Sequence, residues 1–247
     1  LVPRPEGPPM RRALSSVLLA VLAVSTLWVV GAAPASAATT AQNRKFVAAA
    51  YQDLLGREPT AAELDSWAAK LAAGTSRSSL AIQLARTPEW AGDVVVELYE
   101  HILDRTPDDA GRTFWANQLI AGKRTADLAS QLYGSEEFYV RARGTARAFV
   151  IESYLRIFDR RPEPGATDAW IAKLDAGYSR TAMARTLYLS IESNGRRVDA
   201  LYQQLLGRAP DAAGRAFWAR RLVAEDDLVL AGRLVGSDEY FRRAQTR

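Results

Sequence analysis

The chain has 247 residues, of which 48% are apolar, 9% aromatic and 24% charged, and its formal net charge is +4. This composition is typical of a globular protein and excludes a collagen-like or wholly disordered chain. The absence of cysteine and the presence of one histidine, His101, exclude disulfides, thiol nucleophiles, Cys/His zinc sites and any histidine triad that does not use His101.

The predicted elements begin with an export signal in residues 1–37. A methionine is followed by two arginines at 10–12, by an apolar run over residues 13–33 and by Ala-Ser-Ala at 35–37. This order is typical of a secretory signal peptide cleaved after Ala37, and the residues before the methionine are expected to be upstream sequence. The apolar run is also long enough to span a bilayer, so an uncleaved anchor stays open as an alternative. The small-residue triplet favours secretion to the extracellular space or the cell envelope.

Charge along the remaining chain argues against nucleic acid as a partner. Residues 1–37 contain three of the 32 basic and one of the 28 acidic residues, so the rest of the chain has a formal charge of +2. Basic and acidic residues are interspersed along every later segment and form no basic stripe. A mixed, solvated surface is the favoured interpretation, and weak attraction to anionic wall polymers stays open.

After residue 37 the chain consists of four copies of one pattern. Each copy begins with a tyrosine, continues with Arg six, Pro eight and Trp sixteen residues later, and has a glutamate near its end. Agreement at several fixed offsets in four copies is typical of a tandem-repeat protein. We interpret these repeated positions as structural: Tyr51, Arg57, Pro59, Trp67, Glu89, Tyr99, Arg105, Pro107, Trp115, Glu137, Tyr154, Arg160, Pro162, Trp170, Glu192, Tyr202, Arg208, Pro210, Trp218 and Glu239.

Each repeat is predicted to form three helices and no strand, because its apolar residues recur three and four positions apart. The predicted fold is therefore all-α, with four tandem three-helix units of about 50 residues that follow the signal peptide. Gly56 and Gly207 are predicted C-caps of the first helix in their repeats. Residues 60–63, Thr-Ala-Ala-Glu, form a predicted capping box, and Asp108 and Asp211 are predicted N-caps.

The spacing between repeats predicts how they are grouped. The opening tyrosines at 51, 99, 154 and 202 are separated by 48, 55 and 48 residues, so seven extra residues lie between the second and third repeats. These residues, around 140–147, include Gly144, which weakens a continuous helix by about 1 kcal/mol relative to alanine. We expect a junction there between two pairs of repeats, residues 38–143 and 144–247. The fourth repeat has Glu225 where the others have glycine, and its loop is one residue shorter.

The repeats resemble the bacterial domain of unknown function numbered 4214, which occurs in tandem in secreted and surface proteins. The segments that carry the resemblance are LLGREP at 54–59, GSEEF at 134–138 and LLGRAPDAAGRAFW at 205–218. The resemblance covers nearly the whole chain after residue 37 and implies compact helical units similar to phycobilisome linker domains. It implies no activity, and the third repeat departs from the pattern at residues 163–165 and at Ser193.

Candidate reactive groups are few. His101 stands off the apolar face at a position that other repeats fill with Asp53, Arg156 and Gln204, which favours a surface residue over a catalytic one. Most of the acidic pairs begin predicted helices, where capping explains them, and none has the spacing of a calcium loop; they lie at 108–109, 136–137, 226–227 and 238–239. Serine-hydrolase, zinc-protease and phosphate-loop motifs are missing. We predict no catalytic residue, no metal site, no cofactor and no enzymatic activity.

The repeated aromatic residues are open to two interpretations, a core or a sugar-stacking site copied four times. Each tryptophan lies four residues before a repeated leucine on the same helical stripe, which favours a core. Arg105 is predicted to pair with Glu137, and Arg208 with Glu239, which would tie the end of the first helix to the start of the last.

These patterns predict a secreted, non-enzymatic helical-repeat protein that serves as an extracellular adhesion or scaffold module at the bacterial envelope. A carbohydrate-binding or cell-wall-binding module is the alternative, and an envelope hydrolase is a weaker one. The expected partner is a cell-wall polysaccharide or a surface protein. We expect no contact with nucleic acid, and membrane contact only through an uncleaved signal segment.

Overall fold

Within residues 38–247, the part of the chain that the computed structural model describes, every regular element is an α-helix. The prediction of an all-α fold with three helices per repeat is confirmed, and a short extra helix follows the second and fourth repeats. The predicted signal peptide lies outside the described residues and stays a prediction. The helices are α1 (Thr40–Leu55), α2 (Ala61–Ala72), α3 (Arg77–Leu84), α4 (Pro88–Leu103), α5 (Asp109–Ile120), α6 (Thr125–Gly134), α7 (Glu136–Arg141), α8 (Ala146–Phe158), α9 (Ala166–Asp175), α10 (Arg180–Tyr188), α11 (Ile191–Leu206), α12 (Ala212–Arg221), α13 (Asp227–Val235) and α14 (Asp238–Ala244).

Several helices begin or end at the residues that the local sequence signals predict. Thr60 and Glu63 form the predicted capping box of α2. Gly56, at φ 65°, ends α1 in the left-handed conformation, which glycine adopts without steric cost. Asp104 and Asp159 end α4 and α8 in the same conformation at φ 49° and 54°, so aspartate replaces glycine as the cap in the second and third repeats.

Connections between successive repeats are of two kinds. The 16-residue helices α4 and α11 run without a break from the first repeat into the second and from the third into the fourth. Between the second and third repeats, α7 ends at Arg141 and α8 begins at Ala146, and Arg143 and Gly144 both take positive φ. The predicted boundary falls in this turn. We therefore refer to residues 38–143 as the first half and residues 144–247 as the second half.

Within residues 38–247 the hydrophobic core consists of two clusters, and each contains residues from both halves. The terminal cluster joins the first and fourth repeats around Phe46 and Tyr240, and the central cluster joins the second and third around Phe138 and Phe149. All four of these side chains are at most 1% exposed. Because each half supplies part of both clusters, the halves bury their apolar faces against each other. The division into residues 38–143 and 144–247 therefore follows the break between α7 and α8, whereas the core pairs the first repeat with the fourth and the second with the third.

Candidate functional site

The repeated Tyr, Arg and Glu residues form one cluster in each of the four repeats, which we call the Tyr–Arg–Glu cluster. The arginine lies over the tyrosine ring, 5.1–5.7 Å from its centroid, and its Nε donates to the glutamate at 2.5–2.8 Å. Its Nη1 donates to the carbonyl oxygen of the next residue, directly before the repeated proline. The predicted pairs Arg105–Glu137 and Arg208–Glu239 are present, and Arg57–Glu89 and Arg160–Glu192 repeat them.

These ion pairs lie at the surface of the protein. The side chains of Arg208 and Glu239 are 45% and 38% exposed. Hydrogen bonds from the arginines lower the pKa of Glu137, Glu192 and Glu239. In the first repeat, bonds from Arg57 and from the backbone N–H of the N-cap residue lower the pKa of Glu63 to about 2. Carboxylates of this kind are poor proton donors near neutral pH, which favours a structural role.

The four repeated tryptophans pack against the core clusters, in agreement with their interpretation as core residues. Trp67 is 8% exposed, and the other three are partly buried. The indole N–H of Trp170 donates to the Tyr154 hydroxyl at 3.2 Å. A cation lies over each indole ring at 4.3–5.7 Å from its centroid; the pairs are Lys70–Trp67, Lys123–Trp115, Lys173–Trp170 and Arg221–Trp218. A sugar ring would have to displace that cation in order to stack there.

His101 is exposed and lies at the contact between the halves. Its Nε2 is 3.2 Å from the Arg156 carbonyl oxygen, and Arg156 Nη1 donates to the His101 carbonyl at 2.6 Å. Arg156 also donates to both carboxylate oxygens of Asp104, which lowers the pKa of that group. Asp53, at the equivalent position of the first repeat, accepts from the Tyr240 hydroxyl of the second half at 2.8 Å. This repeat position therefore contributes to the interface between halves.

A cavity of about 540 Å³, which we call the central cleft, opens between the core clusters. It is lined by the C-terminal end of α1 and by parts of α4, α11 and α13. Its apolar wall includes Trp90, Leu98 and Leu201, and the exposed polar side chains on its rim include Glu97 and Gln204. Apolar walls with a few polar groups are typical of ligand cavities of this size. The central cleft is the strongest candidate binding site among residues 38–247.

A largely buried ion pair between Arg197 and Asp227 lies in the lining of the central cleft. Nε of Arg197 donates to both oxygens of Asp227 at 3.1 Å, and the two side chains are 19% and 20% exposed. The guanidinium also donates to the Tyr188 carbonyl at 2.7 Å, to Ser193 Oγ at 2.9 Å and to Asn194 Oδ1 at 2.8 Å. It lies 4.1 Å from the centroid of the Tyr188 ring. Burial raises the pKa of Asp227, and the positive charge of Arg197 opposes that rise.

From the sequence, Asp227 was predicted only to begin a helix, and no role was predicted for Arg197. One signal could have found it. Arg197 stands five residues before its repeat tyrosine, where the other repeats have Phe46, Val94 and Phe149. A charge at a position that is otherwise apolar indicates a buried partner.

The short loop of the fourth repeat binds the first half. Asp226 caps α13 by accepting from the Leu228 N–H, and it also accepts from the backbone N–H of Thr125 at 2.7 Å and from Thr125 Oγ1 at 3.1 Å. Arg124 donates to carbonyl oxygens just after α12, those of Leu222, Val223 and Glu225. Capping therefore explains Asp226 only in part, because the same carboxylate also holds the start of α6.

In the part of the chain from 38 to 247, no group of three or more Asp, Glu or His residues is arranged to hold a metal ion. No helix in that part is both long and apolar enough to cross a membrane.

Comparison with known proteins gives one family. The model of DUF4214, a domain of unknown function, matches the chain four times, over residues 32–94, 91–141, 129–197 and 192–243. The matches follow one another along most of the chain and correspond to the four repeats. No curated protein and no solved structure matched the chain.

Proposed function

The chain belongs to the DUF4214 family, a domain of unknown function, and we propose from its own geometry that it is a secreted, non-enzymatic scaffold or adhesion module at the bacterial envelope. The observation that carries this proposal is the Tyr–Arg–Glu cluster. Its arginine guanidinium, glutamate carboxylate and tyrosine ring contact one another in every repeat. The residues that recur most regularly thus support the fold, and their recurrence requires no ligand.

An adhesion role needs surface groups that a partner can contact, and two equivalent phenylalanines supply them. Phe114 and Phe217 directly precede the repeated tryptophans of the second and fourth repeats and are 54% and 48% exposed. The first and third repeats have Ser66 and Ala169 at this position. Exposed aromatic side chains are enriched in protein interfaces. The two phenylalanines are therefore the contact residues that we assign to adhesion.

A cell-wall pull-down tests this role, with the protein's own repeats supplying the substitutions. Phe114→Ser and Phe217→Ala introduce the residues found at the equivalent positions, and neither phenylalanine belongs to a core cluster. We expect saturable binding of the wild type to isolated cell walls, and at least tenfold weaker binding of the double variant, since central aromatic anchors often cost more than 1.4 kcal/mol on truncation. Unchanged binding would contradict the assignment, and soluble sugar released from the walls would support the hydrolase alternative.

Carbohydrate binding in the central cleft is the second candidate function. The cleft presents the partly buried indole of Trp90 together with Glu97 and Gln204, and sugars are commonly bound by an aromatic face and polar side chains. Titration with soluble peptidoglycan fragments, followed by tryptophan fluorescence, measures binding directly. Glu97→Gln and Gln204→Ala alter exposed side chains, so weaker binding by these variants would place the sugar in the cleft. The phenylalanine variant is the matched control and should bind the fragments like the wild type.

Secretion rests on the predicted signal peptide and is tested separately. Intact-mass analysis of the exported protein should give an N-terminus at Ala38, because Ala-Ser-Ala at 35–37 supplies the small residues that signal peptidase reads. Recovery of only a membrane-bound form that retains Trp28 would contradict secretion.

A further inference from the structure

The two interfaces between the halves are copies of each other. In the terminal cluster, Phe46 of the first repeat packs on two adjacent aromatic rings of the second half. In the central cluster, Phe149 of the third repeat packs in the same way on two adjacent aromatic rings of the first half. The ring pairs are Phe46–Tyr240 at 5.9 Å, Phe46–Phe241 at 5.8 Å, Phe149–Phe138 at 5.8 Å and Phe149–Tyr139 at 6.0 Å. Phe46 and Phe149 both stand five residues before their repeat tyrosine. The first half therefore relates to the second as one subunit of a two-fold dimer relates to the other.

The charged contacts follow the same equivalence. Arg77 donates to Asp238 at 2.5 Å and lies over the Phe241 ring at 4.4 Å. Arg180 donates to Glu136 at 2.7 Å and lies over the Tyr139 ring at 4.3 Å. Both arginines stand 26 residues after their repeat tyrosine.

Close helix contacts are equivalent as well. A Cβ atom added to Gly236 would lie 1.9 Å from Ser78 Oγ, and one added to Gly134 would lie 2.2 Å from Thr181 Oγ1. The end of α13 therefore approaches the start of α3 as closely as the end of α6 approaches the start of α10. This close approach requires glycine at both contacts.

One contact between the halves is not self-complementary. Arg124 and Thr125 of the first half bind Asp226 and the carbonyl oxygens after α12 of the second half. When the one-residue-shorter loop is taken into account, Arg124 and Asp226 occupy equivalent repeat positions. Two first halves would bring Arg124 against Arg124, and two second halves would bring Asp226 against Asp226. Like charges at this position therefore disfavour the pairing of two first halves or of two second halves.

A single short turn decides whether the two halves that pair belong to the same chain. In the turn over residues 142–145, which separates α7 from α8, Arg143 and Gly144 take φ of 68° and 62°. Within each half, by contrast, the repeats are joined by a continuous helix, α4 or α11. The turn is thus the hinge about which one half can move as a unit relative to the other.

We propose that this protein dimerises by exchanging halves: the first half of one copy docks on the second half of another through the same two interfaces. Each contact of the exchanged dimer replaces an identical contact of the monomer, so hinge conformation and protein concentration set the balance between the two forms. The proposal extends the scaffold role proposed above. It does not depend on cell-wall binding, and its test uses purified protein alone.

The decisive experiment straightens the hinge. Arg143→Ala with Gly144→Ala replaces two left-handed residues by the best helix former, so α7 and α8 should join into one helix as the counterparts within α4 and α11 do. We make the change in the chain from Ala38 onward, which contains both core clusters. Light scattering after size exclusion should give twice the monomer mass, with the helical circular dichroism of the wild type.

The control lengthens the hinge instead. An insertion of about ten Gly/Ser residues after Gly144 leaves the halves free to pair within one chain, so this variant should be monomeric. A folded, monomeric double-alanine variant would overturn the proposal. A doubled mass in both variants would overturn it too, because association would then be independent of the hinge.

A charge-reversal experiment tests exchange without altering the hinge. Arg77→Glu and Asp238→Arg, in separate chains, each oppose like charges inside one molecule. Mixed and diluted together from urea, the two chains can form an exchanged dimer in which both interfaces are matched. We expect at least about fivefold more mixed dimer than dimer of the chain that carries both substitutions and is matched within itself. Equal amounts of the mixed dimer and of the doubly substituted dimer would overturn the proposal. This test applies even if the double-alanine variant does not fold.

Discussion

Removal of the Arg197 guanidinium should destabilise the fold far more than removal of any arginine of the Tyr–Arg–Glu clusters. Arg197→Ala deletes the hydrogen bonds to Asp227, Asn194, Ser193 and the Tyr188 carbonyl, together with the contact over the Tyr188 ring. The Asp227 carboxylate is then left largely buried without its ion-pair partner.

The expected loss follows from that burial. Breaking a buried ion pair by removing one partner costs about 3–5 kcal/mol, whereas an exposed pair contributes about 0.2–1 kcal/mol. For a folded unit of this size, each kcal/mol shifts Tm by roughly 2–4 °C, so we expect a fall of about 6–20 °C. Asp227→Ala combined with Arg197→Ala should recover part of the loss, because no buried charge is then left unpaired.

Urea unfolding followed by circular dichroism provides the measurement, with Arg215→Ala as the matched control. Arg215 donates to Asp199 at 2.8 Å in a pair that is 42% and 43% exposed, and its removal should cost about 0.5 kcal/mol. In Arg197→Ala the loss should shrink as the pH falls, since burial raises the pKa of Asp227 and protonation removes the unpaired charge. A loss below about 1 kcal/mol, or additive effects in the double variant, would refute the reasoning.

Three further predictions concern the surface pairs and the halves. Because the pair is half exposed, Arg208→Ala should cost only about 0.5–1 kcal/mol of unfolding free energy, and a double-mutant cycle with Glu239→Gln should give a coupling energy of that size. A coupling energy near 3 kcal/mol would mean that the pair is effectively buried. Glu63→Gln should lower the urea midpoint at pH 6 and far less at pH 2, because the folded pKa of about 2 lies below the unfolded value of about 4.3 and most of the stabilisation is lost as the pH falls between them. An equal difference at both pH values would contradict this. Residues 144–247 expressed alone should show no cooperative thermal transition as a monomer, since they contain part of each cluster and complete neither; a cooperative monomeric transition would instead support the two pairs of repeats as independent domains.

Local features of the fold could be predicted from the sequence because each depends on residues a few positions apart. The capping box of Thr60 and Glu63 and the left-handed end of α1 at Gly56 are decided within one helical turn. The Arg105–Glu137 pair joins residues much further apart, and it was predictable for another reason. The same two residue types recur at nearly the same separation in four copies, and only a conformation common to all the repeats places them together every time.

The sequence by itself determined the four repeats, the three helices of each repeat and the apolar stripes along them. Only the tertiary structure decided what each buried side packs against: the first repeat lies on the fourth, the second lies on the third, and Arg197 meets Asp227 in the central cleft. The physical reason is that an apolar stripe is stabilised by losing contact with water, whichever apolar surface covers it. The stripe alone therefore does not specify its partner. The repeats have similar stripes, so the stripes do not select a partner. The contacts that hold each pair of repeats together, such as the approach of Gly236 to Ser78, act between residues far apart in the chain.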